Sequence, residues 1–234
     1  MKLITPIILL LLTLSVTGQT RAAKTCSAGK DAPAFGFWTW RPGNTIKVYV
    51  MSADFEASEL PYLLKPVENW NAVMADTGSQ VKFEYAGLIT TPVYCESCLT
   101  IMRGQVFDKN KRHATELQAY SSRSDQILTW AHIVVDRVLT NPNAITNAIA
   151  HELGHSVGLL DCYKCKSQST VMNQFKTLNQ SNDMEGPSAC DIAQVKTAYK
   201  ELAVHVRPAP VQPDIADEGE EPVDDDAPII VRRP

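Results

Sequence analysis

The run His151-Glu152-Leu153-Gly154-His155-Ser156-Val157-Gly158-Leu159-Leu160-Asp161 decides how the rest of this 234-residue chain is read. Two histidines four residues apart on a helix share one face, one turn above the other. Their ring nitrogens then converge on a single ion at about 2.0–2.1 Å. Glu152 is rotated by about 100° around the same helix. It therefore stands beside the ion rather than on it, where a carboxylate can take a proton from water. The ion expected is one catalytic zinc, Zn2+, which acidifies water and polarises a carbonyl. The bare spacing also arises by chance, and a chance occurrence would leave two histidines without a metal.

A catalytic zinc takes three protein ligands and keeps a fourth position open. Asp161 lies six residues past His155. Were the helix to continue, it would be turned by about 240° from His155 and would face away. Gly158 resolves this, because glycine takes positive φ, ends the helix and returns the chain toward the ion. The expected set is therefore His151, His155 and Asp161 as ligands and Glu152 as base, with Gly158 as the turn.

Outward from this run, Asn141 as cap and Pro142 in the first turn predict a helix over 142–157. Ahead of it, 127–135 (ILTWAHIVV) reads as a strong strand ending at Asp136. The alternating stretches 45–51 and 80–86 read as strands, as do 99–102 and, more weakly, 113–120. Leu60, Leu63, Leu64, Val67, Trp70, Val73 and Met74 mark an amphipathic helix over 58–75, stopped by Gly78. A last helix is expected over 187–202. This order gives an α+β (mixed α/β) domain with a mixed sheet.

The motif HELGHSVGLLD resembles the HExxHxxGxxH/D signature of the metzincin zinc peptidases. Downstream, Ser169-Thr170-Val171-Met172-Asn173 is similar to the methionine turn of that clan, with Met172 as the turn residue. Aspartate at the third position resembles the snapalysin type. The resemblance implies a twisted mixed sheet with an active-site helix, and a smaller C-terminal subdomain ending in a helix. It also implies a zinc endopeptidase acting on polypeptides. The element order follows that plan over 45–203, and the specific motif covers 148–173. One departure is Gln174, which stands where many metzincins place a tyrosine. Tyr163 is near in sequence, but a lone tyrosine reads as structural. A calcium ion is compatible with the clan, although no calcium loop is apparent.

The ends of the chain set compartment and boundaries. Lys2 followed by a short apolar stretch reads as a secretory signal peptide over 1–23, cut after Gly18 or Ala23. The catalytic domain is expected over 24–206. Residues 207–234 are rich in Pro, Asp and Glu and lack aromatics, so an acidic disordered tail is expected there. Cys26, Cys95, Cys98, Cys162, Cys165 and Cys190 make an even set suited to an oxidising compartment. Cys95 and Cys98 are expected to pair locally, and Cys190 to reach either the Cys162–Cys165 loop or Cys26. A four-cysteine zinc site, and Cys26 as an inhibitory thiolate on the zinc, are the less favoured uses. Asn179-Gln180-Ser181 matches a glycosylation acceptor.

A net charge of −4 argues against nucleic acid as a partner. After signal cleavage no membrane association is expected, and the protein should act as a secreted or periplasmic monomer. Substrate is expected to bind as an extended strand on a sheet edge, with 113–120 as that edge. His113 and His132 read as ordinary surface or strand residues. The competing functions are a secreted binding protein with structural zinc, and hydrolysis of an amide that is not a polypeptide.

Overall fold

The computed structural model describes residues 26–36, 38–106, 115–121, 126–166, 168–173 and 184–205. The signal segment, the acidic tail, His113, Gln174 and Asn179 lie outside the described residues.

The first strand, β1 (Thr45–Met51), buries Ile46, Val48 and Val50 on one face. This is the two-residue period of a half-buried strand. A single 3-10 turn over Ala57–Glu59 leads into α1 (Leu60–Thr77), which buries Leu63, Val67, Trp70 and Met74. Gly78 closes that helix at φ +75°. Then follow β2 (Lys82–Ile89), β3 (Cys98–Gly104), β4 (Thr115–Ser121) and β5 (Leu128–Asp136). The last described elements are α2 (Pro142–Ser156) and α3 (Ala189–His205). Each expected element is present. Among the strands the largest boundary shift is in β2, because Gln80 sits at φ +57° and delays the strand, while pairing to β1 carries it on to Ile89.

The strands form one sheet in the order β2-β1-β3-β5-β4. The first four run parallel, and β4 lies antiparallel to β5 at the end of the order. Parallel strands need long crossovers, and α1 supplies the one between β1 and β2. The helices α1 and α2 share a single core with Leu99, Ile101, Ala131, Ile133 and Val135 of the sheet. Trp70 Nε1 donates to the Ala150 carbonyl at 2.9 Å, which fixes α1 against α2. This is the α+β architecture with a mixed sheet that the element order predicts.

Three disulfides use all six cysteines: Cys26–Cys190, Cys95–Cys98 and Cys162–Cys165. The first spans 164 residues, so closing it constrains the unfolded chain by about 5 kcal/mol in the chain-entropy account. With every thiol paired, neither a four-cysteine zinc site nor a Cys26 thiolate on the metal is available.

Candidate metal centre

Helix α2 is positioned by its start and by its surroundings. The Asn141 side chain accepts from Asn143 N at 2.9 Å and from Ala144 N at 3.2 Å, which satisfies two open donors of the first turn. Residues 144–154 and Ser156 are all buried, so the helix runs through the interior with sheet on one side and α1 on another.

The helix ends in a paired hydrogen-bond closure around Gly158. Gly158 N donates to His155 O at 3.0 Å, and Leu159 N donates to Gly154 O at 3.0 Å. This is the Schellman arrangement, and Gly158 occupies its left-handed position at φ +95°. The reversal brings Asp161 back beneath the helix.

His151 Nε2 and His155 Nε2 stand 3.1 Å apart. Asp161 Oδ1 lies 3.1 Å from the first and 3.4 Å from the second. Three atoms bound at 2.0–2.1 Å around a tetrahedral centre would be separated by about 3.3 Å. The three atoms thus already describe one face of such a tetrahedron. The opposite ring nitrogens settle the tautomers. His151 Nδ1 donates to the Val171 carbonyl at 2.9 Å, and His155 Nδ1 donates to the Leu159 carbonyl at 2.7 Å. With each Nδ1 carrying its proton, both Nε2 atoms present lone pairs toward the same point as a carboxylate oxygen. Such a convergence of electron-rich atoms suits a cation, and the donor set of two imidazoles and one carboxylate suits zinc.

Glu152, next to His151 in α2, is fully buried, and Thr115 Oγ1 of β4 donates to its Oε1 at 2.7 Å. Tyr163, half-exposed, donates to Asp161 Oδ2 at 3.3 Å. Its proximity in sequence therefore has a counterpart in space, through a contact to the aspartate.

Met172 is completely buried under α2. A methyl group on Gly154 would overlap the Met172 sulfur, so the helix needs a glycine there to lie on the methionine. The turn that carries Met172 is tied to α3. Buried Asp191 accepts from Thr170 Oγ1, from Val171 N at 3.0 Å and from Ser188 N at 2.8 Å. Asp191 N in turn donates to Ser188 Oγ at 3.1 Å, closing a reciprocal cap at the start of α3. Burial pushes the Asp191 carboxyl above its ordinary range, against the pull of these hydrogen bonds. Val171 thus links Asp191 on one side to His151 on the other.

The structure brings His151, His155 and Asp161 together, with Glu152 next to His151 in α2, Gly158 at the reversal and Met172 against Gly154, and it leaves His132 apart. His132 lies on the outer face of β5 against Trp130 and Tyr94, its ring nitrogen donating to Val93 O at 3.2 Å. Sequence reasoning did not single out Thr115, Gly154 or Asp191. Gly154 left a local signal, because a glycine inside a helix costs about 1 kcal/mol relative to alanine and so asks for a packing reason. Asp191 left one in the capping spacing Ser188-Ala189-Cys190-Asp191, and Thr115 left none.

No protein-family model matches the sequence, and no curated protein is significantly similar to it. Among solved structures the chain is similar to the archaemetzincin of Methanopyrus kandleri, with TM-score 0.42 and 13% identity, covering 67% of this chain and 96% of that one. It is similar to metalloproteinase-II of Bacteroides fragilis, with TM-score 0.41 and 10% identity over 71% and 56% of the two chains. The archaemetzincin of Archaeoglobus fulgidus, complexed with malonate, gives TM-score 0.39 and 12% identity over 64% and 99%. Likeness at this level assigns neither a family nor an activity to the chain.

Proposed function

We propose that this protein is a zinc-dependent endopeptidase, with His151, His155 and Asp161 as ligands, in the manner of the snapalysin type, and Glu152 as general base. The observation that carries the reading is the 3.1–3.4 Å triangle of His151 Nε2, His155 Nε2 and Asp161 Oδ1. A bound zinc supplies Lewis acidity to a substrate carbonyl and lowers the pKa of water toward 7.

The chain's own groups do the rest. Glu152 accepts the proton of the attacking water on its carboxylate and delivers it to the amine nitrogen that leaves. Thr115 holds one oxygen of that carboxylate in place. His151 and His155 keep their Nε2 atoms directed at the metal because their Nδ1 protons are engaged by Val171 and Leu159. Since β4 is terminal in the strand order, an extended polypeptide can add along 115–119, next to Glu152. Three disulfides favour an oxidising compartment, in keeping with export. No helix among the described residues is long and apolar enough to cross a membrane.

The test is metal analysis of the purified protein together with digestion of denatured casein, with and without a chelator. One equivalent of zinc, chelator-sensitive cleavage and loss of cleavage in Glu152→Ala are expected. A protein that holds zinc but cuts nothing would instead be a binding protein with structural metal.

A further inference from the structure

Beside the metal face lies an apolar pocket of about 430 Å³, counted out to its open mouth. Its walls come from several separate parts of the chain. Gly36 and Trp38 belong to the N-terminal segment, Leu160 to the turn after α2, and Leu117 and Ala119 to the inner face of β4. His155 forms the wall nearest the metal face. Resting on the peptidase reading above, we propose that this pocket selects an aliphatic side chain of the substrate on the N-terminal side of the cleaved bond.

The chemistry of the walls sets the class of side chain. Apart from His155, whose nitrogens are engaged, the lining is aliphatic or aromatic. A carboxylate or ammonium entering it would lose its hydration without a partner, whereas an aliphatic group would lose only apolar contact with water.

The direction follows from β4. That strand starts at Thr115, beside Glu152, and reaches Leu117 and Ala119 over the pocket. Antiparallel pairing is the more stable addition to an edge. A substrate added in that sense has its C-terminal part near Thr115 and its N-terminal part near Ala119. Its side chains alternate between faces, so those on the face of Leu117 and Ala119 enter the pocket.

Gly36 and Leu160 control the width. A Cβ on Gly36 would stand 3.0 Å from Leu160 Cδ2. Leu160 is half-exposed and therefore able to shift. The two segments are held together by backbone bonds, Gly36 N to Gly158 O at 2.6 Å and Leu160 N to Ala34 O at 2.9 Å, which side-chain substitution leaves intact.

The experiment is mass-spectrometric mapping of cleavage sites in a mixed peptide library with the zinc-loaded full chain. The wild type should prefer Val, Leu or Ile over Ala on the N-terminal side by on the order of 10-fold, as methylene-scale discrimination allows. Leu160→Ala should extend the preference to Phe, and Gly36→Val should shift it toward Ala and Gly. In Glu152→Ala, which binds without cutting, leucyl peptides should change the emission of Trp38, and Trp38→Phe should abolish that change. A profile with no aliphatic preference, one confined to the C-terminal side, or one unaltered in both pocket variants would overturn the proposal while leaving the peptidase reading intact. Failure of the zinc-loaded wild type to cut any peptide would instead sink the peptidase reading, and this proposal with it.

Discussion

Gly154 and Met172 meet with no room for another atom between them: the position of a Cβ on the glycine is already occupied by the methionine sulfur. Elsewhere in a helix, glycine to alanine gains about 1 kcal/mol. Here the sign should reverse, because the added methyl forces α2 off its support. Gly154→Ala is expected to lose about 1–3 kcal/mol in denaturant unfolding. Removing the obstacle with Met172→Ala in the same chain should make the double variant lose less than the sum of the singles, by about 0.5–3 kcal/mol. A stabilised Gly154→Ala would show that the two residues do not compete for space.

Asp161 is placed by the chain reversal at Gly158, and Tyr163 donates to its Oδ2. The two contributions should separate in zinc affinity. Tyr163→Phe removes a long, half-exposed hydrogen bond and should weaken binding by no more than about 10-fold, the low end for an outer partner. Asp161→Ala should exceed the roughly 100-fold upper end of that range. Competition against a chromophoric chelator measures both. Equal affinities for wild type and Asp161→Ala would remove the aspartate from the metal set.

What could be read from sequence was whatever depends on local geometry. His151 and His155 meet because of helical periodicity, and Asp161 returns to them because Gly158 ends the helix; together the two steps span eleven residues. Strand existence followed from alternation, as with Ile46, Val48 and Val50. The rest depends on segments brought together from far apart. Thr115 reaches Glu152 across 37 residues, and Asp191 reaches Val171 across 20. Neither threonine nor aspartate carries a pattern that would announce such a contact. The choice of Cys26 as partner of Cys190 likewise rests on where the N-terminal segment runs, which no cysteine spacing encodes.

Thr115 donates to Glu152 from a neighbouring strand, so its role is to position the base rather than to touch the substrate. Thr115→Val keeps the shape and removes the donor. The expected result is a fall in kcat of about 10-fold, a small part of the 100- to 10,000-fold that a general base supplies, with KM and zinc content little changed. Thr115→Ser restores the hydroxyl and should recover most of the loss. A merely structural threonine would instead show equal effects from valine and serine, or a change in unfolding without one in kcat.

His132 provides a pH test remote from the metal. Burial against Trp130 and Tyr94 holds its pKa below the ordinary 6.5, and its hydrogen bond to Val93 O only partly offsets this. The folded protein therefore keeps the ring neutral after the unfolded chain has begun to take a proton. A depressed folded pKa gives stability that is fully present above pH 6.5 and is lost as pH falls toward the native value. The slope of that loss stays below the roughly 1.4 kcal/mol per pH unit that a full proton would give. His132→Gln has no titrating group there and should flatten this part of the curve, whatever its constant cost in packing. Unfolding of chelator-treated wild type and variant at pH 7.5 and 5.5 isolates the term, because protonation of His151 and His155 is common to both. A difference between the two proteins that stays constant across this interval would place the acid sensitivity at other residues.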